Sequence, residues 1–165
     1  MLTSQDVSSL AIDRLCDRAR EGNAAVVCFY FDFATQKEQS STSILGALLK
    51  QVGGLREVPG EIVKAYEDQK MVIGGWAPQL SDIVKILQTT SSEKRTFICI
   101  DTLDECAAEH RVKLLDSLRQ ILRKSPGTRI FTTGRPHIQD EIRRRISGRA
   151  SLPREVMSSD IFALG

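Results

Sequence analysis

Residues 95–106 have the sequence RTFICIDTLDEC, and the architecture of the chain can be worked out from them. The apolar residues from Phe97 to Ile100 are uninterrupted, which is typical of a strand covered on both faces within a parallel sheet. Asp101 follows at once, and Asp104 and Glu105 come three and four residues later. The segment therefore predicts a buried strand over Thr96–Ile100 that brings three carboxylates to one end of a sheet.

Strand-like and helix-like segments alternate on either side of this strand. Ala24 to Phe33 and Thr128 to Thr133 predict two more strands, because apolar, β-branched and aromatic residues dominate them. Helical spacing of apolar residues predicts helices over Val7–Cys16, Ile44–Val52, Pro59–Lys70, Pro78–Leu87, Val112–Leu122 and Ile138–Ile146, with a loop over Met71–Trp76. The alternation predicts an α/β fold with a parallel sheet of about three strands flanked by helices.

Length and composition point to one ordinary globular domain. The chain has 165 residues, 41% of them hydrophobic, and its net charge of +2 neither demands nor excludes a polyanionic partner. The longest apolar run, Ala24 to Phe31, is far too short to span a bilayer, and the first ten residues lack the features of a secretory signal. The four cysteines form no CxxC pair. We therefore expect a cytoplasmic protein without a membrane partner.

The acids after the central strand suit work on a phosphate. A carboxylate fixed at a strand end, such as Asp101, can hold Mg²⁺, which prefers oxygen ligands and keeps part of its water shell. A second carboxylate in the next turn, Asp104 or Glu105, can orient or deprotonate an attacking water. The alternative is that these acids only cap the following helix, since acidic residues favour helix N-termini.

A single arginine follows the last predicted strand. Arg135 comes two residues after Thr133, and parallel strands place it at the same sheet edge as the acids. Its permanent charge suits contact with a terminal phosphate. Arg135 could instead pair with Asp101 or Asp104 and hold the sheet edge, and both roles are compatible.

These segments together resemble a known family. RTFICIDTLDEC has the form of a Walker B strand with an acidic extension, and GTRIFTTGRPHI follows it after one helix. AVVCFYFDFATQKEQSSTSILGALLKQV is similar to the strand and helix that come after the nucleotide loop. The chain thus resembles the NACHT-type P-loop NTPases of the STAND class, in particular the fungal group with a nephrocystin-like N-terminal domain. The resemblance runs from about Leu2 to Ile146.

The resemblance assigns a role to each candidate site residue. Asp101 would be the magnesium-associated acid, Asp104 or Glu105 would polarise water, and Arg135 would sense the phosphate. The implied cofactor is Mg²⁺ with ATP or GTP, and the implied activity is a conformational switch in signal transduction that drives self-association or binding of protein partners. Thr102 departs from the family pattern, because a smaller residue is commoner at that position.

The phosphate-binding loop of the family is missing from the sequence. A P-loop needs GxxxxGK[ST], and neither Gly53-Gly54 nor Gly74-Gly75 is followed by Lys-Ser or Lys-Thr. We therefore expect a fragment that starts just after the loop, with a partial nucleotide-binding domain over residues 1–147 and an irregular tail over 148–165. Such a chain would bind nucleotide weakly or not at all and hydrolyse little or none of it by itself.

A second function remains open on the sequence alone. A sheet that lacks the strand before the P-loop would leave an edge beside Thr128–Thr133, and unpaired strand edges add further strands readily. The arginines at 143, 144, 145 and 149 form a basic helix with no aromatic residues among them, so we expect a solvated face and not a nucleic-acid site. The alternative is therefore a non-enzymatic interaction fragment that acts through the sheet edge or the basic helix.

Overall fold

The computed structural model describes residues 10, 12–17, 19, 22, 24–31, 34, 39–54 and 79–146, together with the backbone of 161–164. The helix predicted over Pro59–Lys70 and the loop predicted over Met71–Trp76 lie outside the described residues. Of the first predicted helix, residues 10 and 12–16 are described, and all of them are helical.

The described chain forms an α/β fold around a parallel sheet. Its strands are β1 (Ala25–Tyr30), β2 (Thr96–Asp101), β3 (Thr128–Thr133) and β4 (Ile161–Leu164), and its helices are α1 (Ser41–Gly54), α2 (Leu80–Ser92), α3 (Ala108–Lys124) and α4 (Gln139–Arg145), with 3₁₀ turns at Leu103–Glu105 and Pro136–Ile138. Strands β1, β2 and β3 pair in parallel, in chain order. The predicted three-stranded parallel sheet with flanking helices is confirmed.

The chain order of the strands decides where the helices lie. Because right-handed crossovers that always step in the same direction place their helices on one face, α1, α2 and α3 share a single side of the sheet. The side chains of Val27, Ile98, Ile100 and Ile130 point to that side and are fully buried. The same core includes Ile44, Leu45, Leu48, Val52, Ile83, Val84, Leu87, Leu114, Leu115, Leu118 and Ile121 from the three helices.

The opposite side of the sheet is covered by the first helical segment. Cys28 and Cys99 point to this side, since neighbouring residues of a strand face opposite ways. Ile12 and Ala19 of the first segment are buried, and Cys16 of this segment contributes to the raised pKa of Cys99. At the end of β1, Tyr30 is 53% exposed. Helices therefore lie on both faces of the sheet, with α1, α2 and α3 on one face and the first helical segment on the other.

Strand β1 is shorter than the sequence predicted. Instead of running from Ala24 to Phe33 it ends at Tyr30, which is opposite Asp101, the last residue of β2. The chain after Asp101 turns away at Thr102, so β2 offers no partner for a longer β1. Phe31 nevertheless remains buried in the core.

The outer edge of β1 is occupied by a side chain. The Cys28 backbone N–H donates to Gln51 Oε1 at 2.8 Å, and Gln51 Nε2 donates to the Cys28 carbonyl at 2.7 Å. The Gln51 amide, which comes from α1, thus makes the two hydrogen bonds that a neighbouring strand would make.

The end of the chain differs from its prediction. Residues 148–165 were predicted to be irregular, but Ile161–Leu164 form β4 and pair antiparallel with β3, from Ile130↔Leu164 to Thr133↔Ile161. The physical reason is the open edge of β3, whose backbone N–H and C=O groups need partners. The edge predicted to be free beside Thr128–Thr133 is therefore paired within the chain.

Candidate functional site

The carboxyl ends of β2 and β3 are joined by a buried hydrogen-bond relay. Asp101 ends β2 and is 7% exposed, and Thr133 ends β3 and is buried. The Thr133 hydroxyl donates to Asp101 Oδ1 and accepts the Thr102 backbone N–H at 2.9 Å. One hydroxyl thus satisfies a buried carboxylate oxygen and the first N–H beyond the strand.

Thr102 has a backbone conformation that is rare for its residue type. Its φ of 53° and ψ of 48° are left-handed, and no other non-glycine residue in the described part of the chain has positive φ. Left-handed backbone is unfavourable for a β-branched side chain and costs roughly 1–3 kcal/mol. The kink ends β2 abruptly and starts the 3₁₀ turn that carries Asp104 and Glu105.

Asp104 and Arg135 form the principal ion pair of the site. Arg135 Nε lies 3.2 Å from Asp104 Oδ2, and the Arg135 backbone N–H donates to Asp104 Oδ1 at 3.2 Å. The Asp104 side chain is 7% exposed, whereas that of Arg135 is 73% exposed. The carboxylate is therefore held in place, while the guanidinium remains open to solvent on its other side.

Close packing at Gly134 allows this contact. A Cβ on Gly134 would lie 2.6 Å from Ile138 Cδ1 and 3.5 Å from the Asp104 backbone nitrogen. Ile138 itself is 1% exposed and belongs to the core. The residue between Thr133 and Arg135 is therefore small because the turn after β2 and the 3₁₀ turn after β3 meet at this point.

The four predicted site residues lie at one edge of the sheet, and two of them, Asp104 and Arg135, are in direct contact. Asp101, Asp104 and Arg135 lie at the ends of two adjacent strands, and Glu105 is half-buried in the same 3₁₀ turn as Asp104. Arg135 pairs with Asp104, which is the bonding alternative that the sequence had left open. Thr133 was not predicted; its only signal was a hydroxyl side chain at a strand end opposite the acids.

Comparison with known families shows which protein family the chain belongs to. A family model described as "Nephrocystin 3, N-terminal" matches residues 7–135, which is most of the sequence. The chain belongs to this family. The segment matching the nephrocystin 3 N-terminal family contains the relay and the ion pair, and Arg135 is its last residue. No curated protein and no solved structure matches the chain significantly.

The acids of this family member do not form a metal cage by themselves. Among the described residues, no group of three or more His, Cys, Asp or Glu side chains is arranged to hold a metal ion. Mg²⁺ is commonly held by only one or two carboxylates, with water and substrate phosphates completing its shell. Asp101, with one oxygen bonded to Thr133, fits that pattern and not the pattern of a dedicated protein site.

The basic helix of this family member is partly engaged within the chain. Arg111 Nε contacts Glu141 Oε2 at 2.9 Å, and Arg111 Nη1 donates to the Cys106 carbonyl at 2.8 Å. Arg145 of α4 approaches Asp116 at 3.3 Å and Glu141 at 3.7 Å. These contacts fasten α4 to α3 and neutralise part of the charge of α4.

None of the helices that the structure describes has the length and apolar character needed to span a membrane.

Proposed function

We propose that the chain is a nucleotide-switch domain of the NACHT type, with the nucleotide site at the carboxyl ends of β2 and β3. The observation that carries the proposal is the arrangement of Arg135 and Asp104 beside the buried Asp101. Ligands of open parallel sheets bind beyond the carboxyl ends of the strands, where these three residues lie. A guanidinium and two carboxylates are the side chains expected around a magnesium–phosphate group.

The proposed roles follow from how each side chain is held. Asp101 would hold Mg²⁺ through its oxygen that is not bonded to Thr133, with water and phosphate oxygens as the other ligands. Asp104 positions Arg135 through both its carboxylate oxygens. Glu105, half-buried in the same turn, is then the better candidate for orienting water. Bound magnesium would supply charge neutralisation of the phosphates.

The ion pair of Arg135 suits a residue that senses phosphate. Because the Arg135 side chain is largely exposed, its attraction to Asp104 is screened by water and contributes little stability. A phosphate could therefore draw the guanidinium away from Asp104 at small cost, while the Arg135 backbone N–H continues to bond Asp104. That exchange would link the occupant of the site to the turn after β3.

We propose weak binding and little or no hydrolysis for this chain by itself. The sequence contains no GxxxxGK[ST], the motif whose backbone N–H groups and lysine supply most of the phosphate contacts in P-loop proteins. The acids and Arg135 alone offer one cation and few hydrogen-bond donors. We place this switch in the cytoplasm, where ATP and GTP are available.

The test is a titration with a fluorescent ATP analogue, with and without Mg²⁺. Wild-type protein should show weak binding that requires Mg²⁺, and Asp101→Asn and Arg135→Gln should abolish it. Arg129→Gln is the matched control, since Arg129 is an exposed arginine at the other end of the same strand. Binding that is unaffected by all three substitutions, or rapid release of phosphate by the wild type, would contradict the proposal.

The alternative of an interaction fragment has less support. The edge of β3 is paired with β4, the edge of β1 is occupied at Cys28 by Gln51, and α4 is partly neutralised by its ion pairs. Light scattering separates the two functions. A dimer that forms with increasing concentration, in the absence of nucleotide, would favour the interaction fragment, and a monomer that associates only with Mg²⁺ and nucleotide would favour the switch.

A further inference from the structure

Two cysteines lie side by side on the sheet face that α1, α2 and α3 leave uncovered. Cys28 of β1 is directly opposite Cys99 of β2 in the parallel register. Because directly opposed side chains leave the sheet on the same face, the two thiols are neighbours, and the Tyr30 side chain lies on that face as well. Cys99 is 1% exposed, whereas Cys28 is half-buried. Cys28 is thus the more exposed of the two residues.

The register suits a reversible bond between the two sulfur atoms. Neighbouring strands of a sheet are about 4.7–4.9 Å apart, which is inside the span of Cα separations that a disulfide bridges. The Cβ atoms of directly opposed residues point the same way and do not converge, so a disulfide here would be strained. Strained disulfides are reduced easily and are typical of labile or regulatory bonds.

We propose that Cys28 and Cys99 form a redox-active pair, which an oxidant of the peroxide class converts into a disulfide that ties β1 to β2. The proposal does not depend on nucleotide binding, and either can fail without the other. It assigns a modification site to the side of the sheet opposite the main core.

The chemistry is a two-electron oxidation. The Cys28 thiolate attacks one oxygen of hydrogen peroxide, the O–O bond breaks, and the departing hydroxide takes up the proton that Cys28 had lost, which leaves a sulfenic acid and one water. The Cys99 sulfur then attacks Cys28 Sγ as its own proton leaves. The S–O bond breaks, and the hydroxide released combines with that proton to form the second water. Two thiols are oxidised and one peroxide is reduced.

The surroundings divide the two roles between the cysteines. Hydrogen bonds from the Cys99 thiol and from Tyr30 lower the pKa of Cys28, although partial burial opposes them. The hydrogen bond with Cys28 and burial both raise the pKa of Cys99, and the nearby Cys16 adds to this. Since the thiolate is the nucleophile, Cys28 is the thiol that attacks first. Cys99 is then the resolving thiol.

The test is oxidation of the full chain with hydrogen peroxide, followed by peptide mapping without reductant. Digestion with trypsin and endoproteinase Asp-N separates Cys99 from Cys106, because Asp101 and Asp104 lie between them. We expect loss of two of the four thiols, recovery of a peptide pair joined through Cys28 and Cys99, and return of both thiols after dithiothreitol. A disulfide from Cys28 to Cys16, or a Cys28 that stays reduced while Cys16 is oxidised, would overturn the proposal.

Variants identify the order of the two steps. In Cys99→Ala the sulfenic acid on Cys28 should accumulate and be trapped by dimedone, whereas in Cys28→Ala the Cys99 thiol should stay reduced. Cys106→Ala is the matched control, since Cys106 is equally buried but stands away from the pair, and it should leave the disulfide yield unchanged. Oxidation of Cys99 in Cys28→Ala at the wild-type rate would overturn the assigned order. The wild-type mapping decides the main question even if one variant fails to fold.

Discussion

The hydroxyl of Thr133 is the link between Asp101 and the rest of the sheet edge. It donates to Asp101 Oδ1 and receives the N–H of Thr102, so that it connects the last residue of β3 with the last residue of β2. Asp101 and Thr133 are both buried. A carboxylate in such a place is tolerable only while its hydrogen bonds are made, because an unpaired buried charge is costly.

Replacing Thr133 by Val should therefore be strongly destabilising. The substitution keeps the shape of the side chain but leaves the Asp101 oxygen and the Thr102 N–H without their partner. We expect a loss of about 2–3 kcal/mol in the free energy of unfolding, measured by urea denaturation. Thr133→Ser, which keeps the hydroxyl, should recover most of the loss. Thr132→Val is the control, because Thr132 is equally buried but makes only a long 3.4 Å hydrogen bond.

The left-handed backbone of Thr102 predicts a substitution that raises the free energy of unfolding. Thr102→Gly should stabilise the protein by up to about 1 kcal/mol, since relief of left-handed strain in a threonine exceeds the entropic cost of glycine. The same change at Thr89, an exposed residue inside α2, should destabilise by about 0.5 kcal/mol. Chemical denaturation of both variants checks the difference. Equal losses at the two positions would contradict the strain assigned to Thr102.

The contact between Gly134 and Ile138 can be tested by a double-mutant cycle. Gly134→Ala should cost about 1–3 kcal/mol, because the new methyl group overlaps Ile138 Cδ1 in the buried turn. Ile138→Val removes that Cδ1 and by itself should cost about 0.5–1.5 kcal/mol. The double variant should lose at least about 0.5 kcal/mol less than the sum of the two. Strict additivity in urea unfolding would show that the methyl group is accommodated elsewhere.

Cys106 should make stability fall in alkaline solution. Burial raises the pKa of the Cys106 thiol to about 11, whereas the pKa of a thiol in the unfolded chain is about 8.5. Above the pKa of the unfolded thiol, the unfolded chain releases a proton that the folded chain retains. The stability that Cys106 contributes is therefore fully present below that pKa and is lost as the pH rises through the folded pKa. Between pH 8 and pH 10.5, wild type should lose about 2 kcal/mol more than Cys106→Ala. Parallel urea curves at the two pH values measure this difference, and equal losses would contradict the raised pKa.

The strands were predictable because the residue types within each strand are enough to identify it. Thr128–Thr133 was predicted with the observed bounds, and the second strand is one residue longer than predicted. Uninterrupted β-branched and apolar residues identify such buried strands without knowledge of their neighbours. The end of β1 was wrong by three residues, because it depends on where β2 stops and not on the residues of β1 itself.

The candidate site was predictable in its members but not in its bonds. Asp101, Asp104 and Arg135 could be identified from their positions after strands, and parallel strands guarantee that such residues share an edge. Which of the acids Arg135 would contact depends on the turn at Thr102 and on the room left by Gly134. These features join residues about thirty positions apart, so no local pattern reveals them. Thr133 and β4 escaped prediction for the same reason.

The side-chain amide of Gln51 affects how easily another chain could add a strand to the edge of β1. A foreign chain that arrived at the border of β1 would find the hydrogen-bonding groups of Cys28 already taken by a residue anchored in α1. Fibril growth from that border would first have to pull the amide away and leave it without a partner. At Cys28, a single glutamine side chain thus takes the hydrogen bonds that an added strand would need.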